Sequence, residues 1–256
     1  MLIFKGMSGK VLSAAGDPMG AAIYDYHRNG CAGVLRVFSS QFEEDEIPVC
    51  DLFREYEDMP ELEKLALEFA QGRILDVGAG SGCHSLALRK LGKDAVAIDI
   101  SPLSVDVMKD RGLDARLINL YDDSFDEKFD TILMLMNGTG IIGTLENMPV
   151  FLDRIRTLLK PGGSLFIDSS DLRYLYEEED GSLMIDLAED YYGLIDYRME
   201  YTGNADSLSE GVKGEVFDWL YVDFDTLAFY AQENGFNAEL IAEGGHYDYL
   251  AALTVS

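Results

Sequence analysis

The sequence predicts an α/β fold built on a doubly wound, mostly parallel sheet of seven strands with helices on both faces. Strand-like and helix-like patterns alternate five times between residues 72 and 170. A glycine-rich turn, 78–82, joins the first of these strands to a helix, and Asp99 ends the next strand about twenty residues later, as in doubly wound sheets. Parallel strands need crossover connections, so this alternation covers both faces of the sheet with helices.

The elements follow in a regular order. A short apolar run at Ile74 enters the glycine turn, and Ser101-Pro102 supplies an N-cap and a first-turn proline for a later helix. A proline-glycine turn at 160–163 separates a helix from the fifth strand. We expect strands at 74–77, 93–99, 114–119, 128–136, 164–168, 237–242 and 247–255, and helices after the glycine turn, from Ser101, over 144–159 and over 223–234.

Two segments lie outside this alternation. Residues 1–71 form an N-terminal helical or lid segment, with one helix over 20–27 that begins at Asp17-Pro18 and another over 60–70. The charge run 43–46 is expected to be a solvated loop. Residues 72–256 form the main domain, with an antiparallel β insertion at about 170–222 that either extends the sheet or forms a flap.

The glycine turn indicates a nucleotide-type ligand. Glycines there let a ligand approach the backbone, and the following helix offers free N–H groups. The spacing Gly78-x-Gly80-x-Gly82 differs from the dinucleotide pattern, and no lysine-containing phosphate loop is present. Ligands of such sheets bind at the carboxyl ends of the strands, where Asp99, Asn119 and Asn137 fall with the turn.

The run from Ile74 to Gly82 resembles the first motif of the class I S-adenosylmethionine (SAM) methyltransferases, which have a Rossmann-like fold. The phrase Leu158 to Asp168 is also similar to that family, and the resemblance covers about residues 72–170. Segments at Asp17–Gly20 and Trp219–Leu227 resemble a group of uncharacterised bacterial methyltransferase-domain proteins. The resemblance implies SAM as cofactor and no metal.

The resemblance also implies which residues contact the cofactor. Asp76 would lie near the amino acid end of SAM, Asp99 would bind the ribose hydroxyls, and Arg54 would bind the methionine carboxylate. The full predicted set is Arg54, Tyr56, Asp76, Gly78, Ala79, Gly80, Gly82, His84, Asp99, Ile100, Asn119, Leu120, Met136 and Asn137.

The methyl acceptor is less constrained. Methyltransferases that act on the amino groups of nucleic acid bases or glutamine carry two prolines and an aromatic residue at the position of the loop 137–140, and this chain lacks them. We therefore expect a small-molecule acceptor, with O or N as the methylated atom. His27, His84, Asp171 and Tyr174 are open candidates for a general base, and no catalytic residue is chosen. Two alternatives are a non-catalytic SAM-binding protein and a dinucleotide-dependent oxidoreductase.

The bulk composition limits the partners. A net charge of −27 argues against nucleic acids and anionic membranes. Three histidines far apart do not suggest a metal site, and three cysteines without metal spacing suggest free thiols in a reducing, cytoplasmic setting. Neither a signal peptide nor a membrane-spanning run is expected, and the oligomeric state is left open.

Overall fold

The computed structural model of the chain has an α/β architecture with two sheets, and it describes residues 10–177, 182, 184, 190–208 and 210–256. The α-helices are α1 Pro18–Asn29, α2 Glu61–Phe69, α3 Cys83–Lys90, α4 Pro102–Asp110, α5 Met148–Leu158 and α6 Phe224–Glu233. The strands are β1 Val34–Phe38, β2 Asp45–Glu46, β3 Arg73–Val77, β4 Asp94–Asp99, β5 Asp114–Leu117, β6 Phe129–Met134, β7 Leu159–Ser170, β8 Leu194–Thr202, β9 Gly211–Lys213, β10 Phe217–Leu220, β11 Phe236–Glu243 and β12 Asp248–Val255.

The main sheet has seven strands in the order β11-β12-β7-β6-β3-β4-β5. The pairs from β7 to β5 are parallel, and β12 is antiparallel to both of its neighbours. This arrangement confirms the predicted doubly wound, mostly parallel sheet. The carboxyl ends of β3, β4, β6 and β7 therefore meet along one edge, and the candidate site lies there.

Neighbouring residues of the central strand β3 pack on opposite faces of the sheet. Leu75 belongs to a core cluster with residues of α5 and α6, whereas Ile74 belongs to a cluster with residues of α2 and α3. Both side chains are fully buried, and each contributes roughly 1.5–3 kcal/mol of hydrophobic stabilisation. The alternation along β3 thus fixes which helices cover each face.

A second sheet joins the two segments that lie outside the alternation. Its order is β10-β8-β1-β2, and β9 also pairs with β8. In the antiparallel pair of β1 and β8, Arg36 lies opposite Glu200. We call strands β8, β9 and β10 the β insertion. The sequence predicted antiparallel strands in this insertion and helices in the N-terminal segment. The structure also contains β1 and β2 in the N-terminal segment. The five-residue strand β1 was not predicted because its partner β8 lies far along the chain.

Two local features differ from the expectation. The expected turn at 160–163 is an irregular stretch within β7, where the pairing jumps from Leu159 opposite Phe129 to Ser164 opposite Thr131. The charge run expected to be a loop ends in β2, which pairs with β1 and remains exposed. In both places backbone pairing with a neighbouring strand overrides the local turn signal.

Candidate functional site

The glycine turn has the conformation that only glycine adopts without strain. Gly78, Gly80 and Gly82 have φ values of 69°, 55° and 81°. A Cβ on Gly82 would lie 2.5 Å from Leu113, whereas a Cβ on Gly80 would find its nearest neighbour at 3.8 Å. Gly82 is thus required by packing, and Gly80 faces open space of the kind that a bound ligand can fill.

Asp99 is brought directly to this turn, as its spacing predicts. One carboxylate oxygen accepts from the backbone N–H of Gly80 at 2.8 Å, and the other accepts from that of Ser101 at 2.8 Å. Burial raises the pKa of Asp99 to about 6. Each carboxylate oxygen retains a second lone pair, so the group can also accept hydrogen bonds from two ribose hydroxyls.

Asp76 lies beneath the turn and faces α3. It is 1% exposed and accepts a hydrogen bond from the Ser85 hydroxyl at 2.6 Å. Burial raises its pKa. The carboxyl group therefore sits behind the glycines and adjoins His84, whose charge acts on it.

His84 and Arg54 are joined by a residue that the sequence analysis missed. Glu63 of α2 is 5% exposed and accepts from Nε2 of His84 at 2.8 Å, from Nε of Arg54 at 3.3 Å, and from Nη2 of Arg54. In the sequence, Glu63 can be recognised as an acidic residue on the apolar face of α2, one turn before the buried residues Ala66 and Leu67. A charge at such a position indicates a buried partner.

Tyr56, a predicted cofactor contact two residues after Arg54, does not join the buried group around Glu63. The hydroxyl of Tyr56 donates to Glu68 on the exposed surface of α2, at 2.8 Å, and the ring packs against the core cluster that contains Ile74. The structure thus places Arg54, rather than the Tyr56 hydroxyl, in the buried group beneath the turn.

An additional piece of chain lies beside Ile100 and Asn119, two of the predicted cofactor contacts. The N–H of Leu12 donates to the carbonyl of Ile100 at 2.8 Å, and the amide of Asn119 donates to the carbonyl of Lys10 at 3.0 Å. The side chain of Ile100 is exposed, whereas Leu120 is buried in the main core. The start of the described chain therefore crosses the edge between two predicted cofactor contacts.

The loop after β6 is held by a carboxylate from the neighbouring strand. Met136 and Asn137 have φ values of 67° and 58°, a left-handed conformation that costs energy in residues other than glycine. Asp168 accepts from the N–H groups of Met136 at 3.0 Å and Gly138 at 2.9 Å, and burial raises its pKa to about 6. The Asn137 side chain accepts from the Ser170 hydroxyl at 3.1 Å. Strained residues held in this way are typical of functional loops.

Helix α1 begins beside Asp99. Asp17 caps the helix by accepting from the Gly20 N–H at 2.8 Å and also accepts from the hydroxyl of Ser101, the cap of α4, at 2.5 Å. A Cβ on Gly20 would lie 2.1 Å from this carboxylate. The motif Asp17–Gly20 thus fastens the N-terminal segment to the edge of the candidate site.

The β insertion closes the other side of this edge. A Cβ on Gly140 would lie 1.9 Å from the Trp219 ring, and the Thr139 hydroxyl donates to the carbonyl of Leu220 at 2.8 Å. The Tyr192 hydroxyl lies 3.0 Å from both Asp171 and Asp223. The β insertion therefore packs against the loop after β6, and Tyr192, Asp171 and Asp223 in the adjoining connections form a hydrogen-bonded group.

The four candidates for a general base lie in different surroundings. His27 pairs with Asp110 at the far end of α4, 3.8 Å away, and His84 is buried against Glu63. Asp171 follows β7 at the carboxyl edge, and Tyr174 stacks on the ring of Tyr247, with 4.9 Å between centroids. Of these groups, Asp171 and Tyr174 are on the side of the β insertion.

Neither a metal centre nor a membrane-spanning helix occurs among the described residues. Among them, no group of three or more His, Cys, Asp or Glu side chains could hold a metal ion. No helix in the described part of the chain is long and apolar enough to cross a bilayer.

Comparisons with known proteins identify relatives of this chain. Residues 51–240 match a family described as a methyltransferase domain. A crystal structure of a SAM-dependent methyltransferase from Bacteroides fragilis in complex with S-adenosylhomocysteine (SAH) is 60% identical, with a TM-score of 0.89 over 98% of this chain and 99% of that one.

Two curated relatives match over part of their length. The cypemycin N-terminal methyltransferase of a Streptomyces species is 35% identical over 38% of this chain and 42% of that protein. The ubiquinone biosynthesis O-methyltransferase of Xanthomonas euvesicatoria is 32% identical over 40% of this chain and 45% of that protein. The chain thus spans less than half the length of these two relatives.

Proposed function

The chain belongs to the methyltransferase-domain family and is a SAM-dependent methyltransferase, and from that premise we propose that it methylates an oxygen or nitrogen atom of a small molecule. When bound, SAM would supply a methyl group on a sulfonium: a lone pair of the acceptor atom would form the new bond to the methyl carbon in line with the C–S bond, which would break and release SAH. What the protein contributes is position, because aligned reactants at near-attack distance remove several kcal/mol of barrier.

The residues present fit the cofactor. Gly80 leaves open space at the turn, and Asp99 has free lone pairs for the ribose hydroxyls. Ile100, Asn119 and Leu120 belong to the edge that would hold the adenine. Arg54 would bind the methionine carboxylate, and Asp76 would lie under the amino acid end. The relative with bound SAH shares almost the full length of this chain.

The acceptor would enter between the loop after β6 and the β insertion. This location is supported by the contact of Gly140 with Trp219 and by the aromatic groups near it: the hydroxyls of Tyr197 and Tyr221 lie 3.2 Å apart. Aromatic walls with a few polar groups suit a small, partly apolar acceptor. The segment 50–58, here called the front segment, and the β insertion would together form the lid over the site.

The class of acceptor remains broad within this proposal. One curated relative is named as an O-methyltransferase and the other as a methyltransferase of the cypemycin N-terminus, so these names do not point to a single kind of acceptor. The charge of −27 favours a small molecule over a nucleic acid. If the acceptor atom carries a proton that must leave, Asp171 and Tyr174 are the candidate bases on the acceptor side.

The observation that carries the proposal is the Asp99 carboxylate bonded to the Gly80 N–H at the glycine turn. The test is to incubate the protein with methyl-labelled SAM and a panel of small amines, phenols and hydroxy acids, and to search for labelled products. Gly80→Val, which fills the ligand space, is the inactive control. SAH binding by calorimetry without any labelled product across the panel would contradict the proposed classes of small-molecule acceptor.

A further inference from the structure

Arg54, Glu63 and His84 form a buried group of charges that three separate parts of the chain contribute, here called the buried triad. The side chains of Glu63 and His84 are 6% and 5% exposed, and that of Arg54 is 15% exposed. Glu63 accepts from both partners. Because burying charges costs several kcal/mol unless they are paired, an arrangement of this kind needs an explanation.

The buried triad is fastened to the cofactor turn from two sides. His84 is in the first turn of α3, two residues after the N-cap Gly82. The Ser81 hydroxyl donates to the carbonyl of Leu52 in the front segment, and Arg111 donates to the carbonyl of Ser81 at 2.7 Å. The guanidinium of Arg54 therefore belongs to a segment tied to the glycines.

The charge on His84 decides whether the buried triad can receive an anion. With neutral His84, Arg54 and Glu63 cancel; with protonated His84, the three groups carry one net positive charge. Glu63 faces the imidazole from α2, Asp76 faces it from β3, and Arg54 acts on it from the front segment. On its own helix, the neighbouring Cys83 thiol stays neutral because burial raises its pKa to about 12.

The electrostatic surroundings favour the protonated imidazole. Burial alone would lower the pKa of His84, but the hydrogen bond to Glu63 and the charges of Asp76 and Glu63 raise it above its ordinary value. Burial would likewise raise the pKa of Glu63, yet His84 and Arg54 lower it. Asp76 adjoins the imidazole from β3, and its ionised form offsets part of the positive charge that protonated His84 adds.

We propose that the buried triad is a proton-linked site for the carboxylate of the cofactor's methionine moiety, in which Glu63 and His84 are positioning residues for Arg54. Protonated His84 balances the charge of Glu63. The Arg54 guanidinium, which also donates from Nη1 to the Asp51 carbonyl at 2.9 Å, then offers its remaining N–H groups and its positive charge to the ligand carboxylate. By linkage, the carboxylate must in turn favour protonation of His84. The inference rests on SAM as the cofactor and is independent of the acceptor.

The test follows the three histidines of the chain by NMR during a pH titration, with His84→Gln used to assign the His84 signal. We expect saturating SAH to raise the pKa of His84 by about one unit, which corresponds to about tenfold tighter binding to the protonated form. Methylthioadenosine, which keeps the nucleoside and lacks the carboxylate, should leave the pKa unchanged. The His27 and His246 signals serve as internal controls.

A His84 titration that SAH does not shift, or that methylthioadenosine shifts equally, would overturn the proposal. Calorimetry at several pH values adds a second readout. Glu63→Gln removes the carboxylate that holds the proton on His84, so its SAH affinity should no longer rise as the pH falls, while methylthioadenosine binding stays unchanged. Glu61→Gln, an exposed control on the same helix, should keep the wild-type pH dependence. Absence of SAH binding to the wild-type protein would instead contradict the assignment of the cofactor.

Discussion

Removing the Asp99 carboxylate is the most direct test of the cofactor site. The group accepts from the Gly80 and Ser101 N–H groups, and its remaining lone pairs are available to the ribose. Hydrogen bonds to a charged acceptor contribute roughly 1.5–3 kcal/mol. Asp99→Ala is therefore expected to weaken SAH binding about 10–100-fold at pH 8, where the wild-type carboxylate is ionised.

The raised pKa of Asp99 also predicts how the affinity for SAH changes with pH. The pKa of Asp99 is raised to about 6, and ribose hydroxyls favour the ionised form. Wild-type affinity should therefore be full above pH 6 and fall as the pH drops through 6, a change that Asp99→Ala should lack. A histidine effect would act in the opposite direction, because protonated His84 is the form that favours binding.

Calorimetry with SAH measures both effects, and thermal unfolding confirms that the variant is folded. Asp94→Ala is the matched control, since Asp94 is an exposed aspartate at the other end of β4. A folded Asp99→Ala variant with wild-type affinity would refute the reasoning, because Asp99 would then serve only to hold the turn.

Three other predictions concern packing and motion. Gly140→Ala should cost about 1–3 kcal/mol of stability and reduce methyl transfer, because the added methyl group would lie 1.9 Å from Trp219; chemical denaturation measures the loss. Gly20→Ala should cost a similar amount by displacing Asp17 from the cap of α1, while Gly245→Ala, with nothing near the added methyl group, should be neutral in the same assay. The front segment and the β insertion should exchange amide hydrogens more slowly with SAH than without it; equal exchange in both states, with slowing confined to the glycine turn, would contradict the lid.

Local patterns in the sequence are sufficient to predict the sheet, the glycine turn and the helix caps that surround the site. Alternating strand and helix patterns predict the parallel sheet, and the positive φ values at Gly78 and Gly80 follow from a tight strand-to-helix turn. The caps Asp17 and Ser101 are also local, since each accepts from a backbone N–H three residues later. These features depend on neighbouring residues and on burial period, so the order of residues determines them.

Only the tertiary structure decides which distant groups meet. Arg36 of β1 lies opposite Glu200 of β8, and Asp168 holds the strained loop at Met136, because strands far apart in sequence become neighbours in the folded sheets. Glu63 is recognisable in the sequence as an acid on an apolar helix face, but its partners are not. A buried charge is stabilised by whichever opposite charges the packed elements bring to it, and that choice exists only once α2, α3 and the front segment are packed together.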